Sequence, residues 1–380
     1  MKPNPVKILF CQPTLARSGS ENSLLALLEG LERWEGKGRV RVLAGEDGPM
    51  RENLARFAVL QIVDAPKLRR NLAGALRFLR SFPRVHAAIK ASDCDLVYVN
   101  TLMFPQAYLA GFLNRKPVVV HLREVETTYG RCVYFCYYLL ARICARHLVA
   151  ACDFIFRQKT AAFINRLFPR RRRSVIHNWS WAAPAKIVRR VRDKAAILAV
   201  IPMSRRKGIF DLIEFAARLR ELHPPIPFTI HVVGRTSEAA EVVKAYRMRQ
   251  ALNLEDVLVF CGERERGALA EFYARADLLV QPSHTEAFPR VVVEALAFSL
   301  PCVVTAVGGT PEAVEDGRNG YLVPVGKPEE MARRVLELLT HEETYGAFSR
   351  QAYATYQSRF AQPAMIGNVI AVLERECRGQ

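Results

Sequence analysis

Two series of short apolar runs, each alternating with longer stretches of helical patterning, constrain this chain more than any other feature. Residues 6–11, 40–44, 96–100 and 118–121 form the first series, and residues 196–200, 228–233, 257–261, 278–280 and 302–305 form the second. Short buried runs separated by helix-length segments are what successive βα units require, so each series predicts a doubly wound parallel sheet. At 380 residues with 50% hydrophobic content, the chain is too long for one ordinary compact domain and apolar enough for two cores. Val175-Ile-His-Asn178 closes the first series, and a polar, basic link follows. The expected division is residues 1–178, a hinge over 179–193, a second domain over 194–358 and a terminal helix over 359–380. In the last segment Pro363 suits a first helical turn, and Ile366, Ile370, Leu373 and Cys377 recur at helical spacing.

Charge is divided unevenly between the halves. Residues 1–180 carry a net charge of +16 and residues 181–380 carry +2. Arg69, Arg70, Arg77, Arg80, Arg84 and Arg170 to Arg173 supply much of the excess. Such a surface attracts phosphates or anionic lipids. Nucleic acid is not expected, because no recognition helix, zinc knuckle or aromatic platform accompanies the charge. Residues 132–156 are strongly apolar, yet Arg142, Arg146 and Asp153 keep any run short of the roughly 20 residues that cross a bilayer. Arg131, Tyr138, Arg142 and Arg146 recur as one polar stripe, which predicts an amphipathic helix or helix pair. It either packs into the N-terminal core or lies on the cytoplasmic leaflet. The first residues lack the apolar length of a signal peptide, and nine cysteines, including Cys261 and Cys302 in apolar surroundings, show no metal-ligand spacing. Both features are expected of a cytoplasmic protein with reduced core cysteines, peripheral at most on the inner face of the membrane.

One motif carries chemistry. His284-Thr-Glu-Ala-Phe-Pro-Arg-Val-Val-Val-Glu294 follows the run at 278–280 and precedes Gly308-Gly309-Thr310-Pro311-Glu312. Residues 281–289 read as the loop at the strand's carboxyl end and 291–298 as the next helix, so Glu286 and Glu294 face the crevice where open α/β sheets bind ligands. Carboxylates suit the vicinal hydroxyls of a sugar or ribose. With Pro282-Ser283 before it and Glu294-Ala295-Leu296-Ala297 opening the helix, the segment resembles the paired-glutamate motif of retaining glycosyltransferases of family 4. The likeness is strongest over residues 199–339 and traceable over 6–178.

That resemblance implies the GT-B fold, an α/β architecture of two Rossmann-like domains facing across a cleft, with a terminal helix crossing back to the first. It implies a retaining transfer of a glycosyl group from a nucleotide-sugar to a hydroxyl of a glycan or lipid-linked acceptor, in cell-surface polysaccharide or glycolipid assembly. The nucleotide-sugar is substrate, and neither metal nor cofactor is expected. Residue by residue, Glu294 corresponds to the ribose ligand, Glu286 to the ligand of donor-sugar hydroxyls and Lys207, in Ser204-Arg-Arg-Lys-Gly208, to the lysine that neutralises the diphosphate. Phe288 falls within the donor motif. His121, followed by Leu-Arg-Glu124, matches the active-site histidine, and Gly19, in Arg17-Ser-Gly-Ser-Glu21, matches the glycine loop. Arg123 and Glu124 are expected to pair with each other or to contact acceptor. Gly308 and Gly309 allow close approach to a ligand, while Thr310 as a helix cap and Pro311 in its first turn would leave amides pointing outward.

The chain departs from the family at two positions. Pro202 stands where an arginine is usual, five positions before Lys207, leaving Arg205 or Arg206 to supply the second cation. Pro289 replaces a frequent glycine and removes an amide. Asp93-Cys-Asp95 reads as a loop cap away from the cleft. The competing functions are a nucleotide-sugar 2-epimerase of the same fold and a non-catalytic membrane scaffold.

Overall fold

The computed structural model describes residues 6–16, 19–35, 40–66, 72–169, 172–180, 193–236 and 238–378. The chain forms two compact units, Met1–Asn178 with Gln362–Gln380 and Trp179–Ala361. Most of the expected hinge, and Arg17, Ser18, Arg69, Arg70, Arg170 and Arg171 among the residues singled out above, lie outside the described residues.

The first unit alternates strands with helices: β1 (Ile8–Thr14), α1 (Gly19–Glu35), β2 (Val40–Glu46), α2 (Arg51–Ala55), β3 (Val59–Ile62), α3 (Leu72–Ala91), β4 (Leu96–Val99), α4 (Pro105–Leu113), β5 (Val118–Leu122), α5 (Glu126–Tyr129), α6 (Arg131–Cys144), β6 (His147–Ala150), α7 (Asp153–Arg157), α8 (Lys159–Leu167) and β7 (Arg172–Val175). All its strands pair in parallel in the order β3-β2-β1-β4-β5-β6-β7. β1 and β4 are buried along their whole length, as strands covered by helices on both faces must be.

The second unit contains β8 (Ala195–Val200), α9 (Ile209–Glu221), β9 (Phe228–Val233), α10 (Ala239–Ala251), β10 (Leu258–Gly262), α11 (Arg266–Arg275), β11 (Leu278–Gln281), α12 (Arg290–Ala297), β12 (Cys302–Thr305), β13 (Gly320–Val323), α13 (Pro328–Thr340) and α14 (Glu342–Arg359). Its parallel sheet runs β10-β9-β8-β11-β12-β13. Both sheets reverse direction beside their first strand, between β1 and β4 and between β8 and β11.

The last helix, α15 (Gln362–Arg378), belongs to the first unit. It reaches α1 closely at Gly30, where a Cβ would stand 2.0 Å from Ile366 Cδ1. Near its end the fully buried Glu376 carboxylate meets Arg146 Nε at 2.9 Å, His147 Nδ1 at 3.1 Å and Arg172 Nη1 at 2.9 Å.

Four strands go beyond the expected runs: β3, β6, β13 and β7, which meets the closing segment 175–178 only at Val175. Of the expected amphipathic helix or helix pair over residues 132–156 the structure keeps one long helix, α6, while β6 (His147–Ala150) and the short α7 stand in place of a second. Three apolar residues after a histidine have no period that separates a strand from a helix. The polar stripe of α6 is also reversed. Tyr138 and Arg142 are fully buried, Tyr138 donating to Asn165 Oδ1 at 3.1 Å and Arg142 to the Phe168 carbonyl, while Phe135 and Ile143 face solvent. These internal acceptors offset part of the desolvation of the buried polar groups. Asp93 and Asp95 hold Lys7 at the head of β1, Asp93 accepting from its ammonium and Asp95 Oδ2 from the Lys7 backbone amide at 2.8 Å. Cys302 is buried, whereas Cys261 is only partly so and Cys132 and Cys136 are exposed.

Candidate active site

In the second unit three loops leave neighbouring strands at the carboxyl edge, on either side of the direction reversal, where open α/β sheets take ligands. After β8, Arg205–Lys207 make a single 3-10 turn and Gly208, with φ of 78°, leads into α9. A Cβ on Gly208 would lie 1.9 Å from the Pro282 carbonyl oxygen, so only glycine lets this loop touch the one after β11. After β12, Gly308, with φ of 57°, does the same against Glu286, whose carbonyl oxygen would be 1.8 Å from an added Cβ. Backbone bonds complete the join: His284 donates to the Arg206 carbonyl at 3.0 Å and Gly309 to the Ala287 carbonyl at 2.9 Å.

This framework brings Lys207 and Glu286 together. Lys207 Nζ lies 2.6 Å from Glu286 Oε1, which also accepts from Gln281 Nε2 at 2.9 Å. Both side chains are largely buried, so the pair is weakly screened. Glu294, in the second turn of α12, accepts from the Tyr273 hydroxyl at 2.9 Å and faces Arg290 Nη2 at 3.6 Å. Tyr273 stacks on Phe298 with ring centroids 5.5 Å apart. Burial and the Glu294 charge push its hydroxyl well above the ordinary tyrosine range, so it remains a donor.

Arg290 is the cation the sequence reading missed. Its side chain is only 13% exposed, and the available signal was its place four residues before Glu294 on one helix face. Arg205, by contrast, lies over the Phe210 ring at 5.6 Å and Arg206 is exposed, so neither is drawn into the Lys207–Glu286 pair. Phe288 is buried against Phe360, with centroids 5.7 Å apart, and packs rather than lining an open surface. Thr310 does not cap a helix. It is the first residue of a 3-10 turn, Thr310–Glu312, and its side chain is buried. The Gly309 and Thr310 amides are spent inside the loop on the Ala287 and Val307 carbonyls, which overturns the expectation that they point outward to an anion. Pro202 uses its carbonyl to accept from Ser204 at 2.7 Å.

The first unit gathers a second polar cluster at its own reversal point. Asn100, just past β4, donates to Gln12 Oε1 at 2.9 Å and to the Ser20 carbonyl at 2.8 Å, tying the head of α1 to β1 and β4. Gly19 is the first residue of α1 and has no neighbour within 4 Å of an added Cβ, so no close approach requires glycine there. His121, next to last in β5, is fully buried. Its Nδ1 lies 2.5 Å from the Tyr98 hydroxyl and 3.2 Å from Arg123 Nη2. Arginine only donates, so Nδ1 accepts and the ring proton sits on Nε2, which has no hydrogen-bond partner among the described residues. Burial, aided by Arg123, holds the imidazole well below its ordinary pKa, and it is neutral. Arg123 and Glu124 do not pair through their side chains. Arg123 reaches Asn100 at 3.2 Å and Asn178, while Glu124 accepts from Thr101 and from the Leu102 and Arg123 amides at 3.1 and 2.9 Å.

Comparison with known proteins gives a consistent picture. Residues 185–355 match the family described as Glycosyl transferases group 1. Among curated relatives, N-acetyl-alpha-D-glucosaminyl L-malate synthase of Bacillus anthracis is 33% identical over 115 residues, 30% of this chain and 30% of that protein. D-inositol 3-phosphate glycosyltransferase 2 of Catenulispora acidiphila is 33% identical over 187 residues, 48% of this chain and 44% of that protein. The chain thus spans less than half the length of these relatives. Among solved structures, Anabaena HepE in complex with UDP and glucose superposes with a TM-score of 0.79 at 22% identity, covering 98% of this chain and 100% of that one. The shared fold is GT-B, two Rossmann-like units with parallel sheets.

Proposed function

We propose, from the premise that this chain belongs through residues 185–355 to the glycosyl transferases group 1 family, that it is a glycosyltransferase using a nucleotide-sugar donor. The observation that carries the reading is the buried Lys207–Glu286 pair beside Glu294, at the reversal point of the second sheet and inside the matched segment. The Anabaena protein was solved with UDP and glucose, which supports a nucleotide-sugar as the donor class.

In this reading Glu294, held by Tyr273 and Arg290, accepts hydrogen bonds from ribose hydroxyls. The donor diphosphate draws Lys207 Nζ toward itself, and Glu286 is released to accept from sugar hydroxyls. Because the Gly309 and Thr310 amides are consumed inside their loop, Lys207 is the main group that stabilises charge developing on the departing diphosphate. His121, neutral with its proton on Nε2, donates a hydrogen bond to the transferred sugar. Transfer proceeds with retention and without metal or cofactor. The acceptor is a hydroxyl of a glycan or lipid-linked molecule, in polysaccharide or glycolipid assembly at the inner face of a membrane.

A thermal-shift panel of UDP, GDP, ADP and their sugars tests the donor site, since a ligand that binds the folded state raises its apparent stability. One nucleotide class should raise the melting temperature, and Glu294→Ala should abolish the shift. His121→Ala should keep the shift and depress transfer to acceptor. Full transfer by Glu294→Ala, or no shift with any nucleotide, overturns the assignment; isomerised donor without acceptor points to the epimerase.

A further inference from the structure

From β3 to β7 each connection of the first unit steps the same way across the sheet, so crossovers of the usual right hand put their helices on one face, and α3 packs on α4, α4 on α6 and α6 on α8. These four helices contain eight lysines and arginines and no aspartate or glutamate. Fourteen large apolar side chains are exposed among the described residues, and nine belong to this layer or to the residue that ends it. Leu79 is 65% exposed, Leu167 59%, Phe163 55% and Leu113 53%. Arg77, Arg80 and Arg166 stand exposed among them. The inverted α6 contributes by burying Tyr138 and Arg142 and presenting Phe135 and Ile143 to solvent.

Soluble monomers rarely gather exposed apolar side chains in one region. Apolar and aromatic groups among cations, without carboxylates, match the boundary of an anionic bilayer, where acyl chains take the former and headgroup phosphates the latter. None of the described helices is long and apolar enough to cross a membrane, so contact on this layer is interfacial. We propose that the outer layer α3-α4-α6-α8 is a docking surface for an anionic lipid leaflet. The inference rests on the reading above only in giving a lipid-linked acceptor its location; the layer's composition is independent of the donor site.

Co-sedimentation of the full chain with vesicles tests it, using phosphatidylcholine alone or with about 30% phosphatidylglycerol, a content chosen to give a negative surface potential. The protein should partition onto the anionic vesicles and should leave them as salt is raised. Arg77→Glu/Arg80→Glu should weaken partitioning more than tenfold, since each basic residue near such a surface is worth about fivefold. Leu79→Ser/Phe163→Ser/Leu167→Ser should weaken it similarly, while Val243→Ser/Tyr246→Ser, on α10 of the other unit, should not. All variants should keep the nucleotide-induced thermal shift, which separates failure here from failure of the donor site. Equal binding to neutral and anionic vesicles, or no loss in the layer variants, overturns the proposal. So does a concentration-dependent dimer of the free protein that the layer variants abolish, which would make the occupant a second copy.

Discussion

The two units share one topology and use it differently. Both sheets reverse direction beside their first strand, and both gather polar side chains at that edge. In the second unit the gathered groups are charged, Lys207 with Glu286 and Arg290 with Glu294. In the first they are amides, a neutral imidazole, Arg123 and two carboxylates held locally, Glu21 accepting from Thr14 Oγ1 at 2.8 Å and Glu124 turned onto nearby backbone, with no side-chain ion pair between them and Arg123 among the described residues. Their surfaces differ as well: α13 interleaves Glu330, Arg334 and Glu337 in ion pairs, whereas α3, α4, α6 and α8 carry no carboxylate at all. Topology therefore fixes where a site lies, and side-chain charge fixes what it can hold. The largest test of this comparison is Gly308→Val. Its φ of 57° and the 1.8 Å approach to the Glu286 carbonyl leave no room for a side chain. Backbone strain and overlap together should cost on the order of 4 kcal/mol or more. Melting followed by hydrogen exchange should show the second unit destabilised and the first unchanged; an unaltered second unit would remove the interlocked-loop account.

Next in size is Glu376→Ala in the first unit. The substitution leaves Arg146, His147 and Arg172 around a site emptied of its counter-charge, and breaking a buried pair in this way should cost about 3 kcal/mol. Exchange should rise first in α15, β6 and β7. The same cluster makes the first unit the more acid-sensitive one. Burial, opposed by the Glu376 bond, holds His147 below its ordinary value of 6.5, and burial holds His121 well below it. Both are neutral in the fold and protonate more readily in the unfolded chain, so their contribution is present above about pH 6.5 and declines as pH falls below it. Glu376, its pKa lowered against the cost of burial by His147 and Arg172, adds a further loss below about pH 4.5. Glu124 works the other way, since burial raises its pKa and favours the protonated fold. In the second unit His231 is lowered by its partial burial. Between about pH 7 and pH 5 the first unit should therefore lose more protection than the second.

Much of this was legible in the chain and some was not, for definite reasons. Strands such as 228–233 and 302–305 stand out because proline precedes short runs dominated by β-branched and apolar residues, and their observed limits are the expected ones. β6 was hidden because Ala145-Arg146 separates it from α6 with no glycine or proline, and three apolar residues after His147 carry no period. Glu286 and Glu294 stood out by their place after an apolar strand and before a glycine loop, Lys207 only through the family resemblance, and the fold gathers all three at one sheet edge. Arg290 escaped because Pro202 directed attention to Arg205 and Arg206, its neighbours in sequence rather than in space. Asn100, Tyr98 and Tyr273 escaped because a polar residue at a strand end or on a helix gives no sign of its partner 20 or more positions away.

Tyr273→Phe sharpens the charged side of the comparison at modest cost. It removes one donor to Glu294 and leaves the ring stack on Phe298 intact, so about 1–2 kcal/mol of stability should be lost. Nucleotide binding should weaken roughly tenfold if the hydroxyl fixes the carboxylate for ribose. Unchanged affinity together with lower stability would assign Tyr273 to packing alone.

The smallest effect is expected at Gly19, and it separates two glycines that look alike in sequence. Gly308 is confined by a neighbouring loop at positive φ, whereas Gly19 opens α1 with nothing within 4 Å of an added Cβ. Alanine there reduces the freedom of the unfolded chain and should alter stability by no more than about 0.5–1 kcal/mol, in the stabilising direction. The measurement that matters is donor affinity beside melting temperature. If Gly19 serves only the start of α1, Gly19→Ala melts no lower and binds nucleotide as before. If its backbone must approach a donor phosphate, the same variant keeps its stability and loses affinity, and the contrast between a first edge of amides around Arg123 and a second edge built on ion pairs would have to be redrawn.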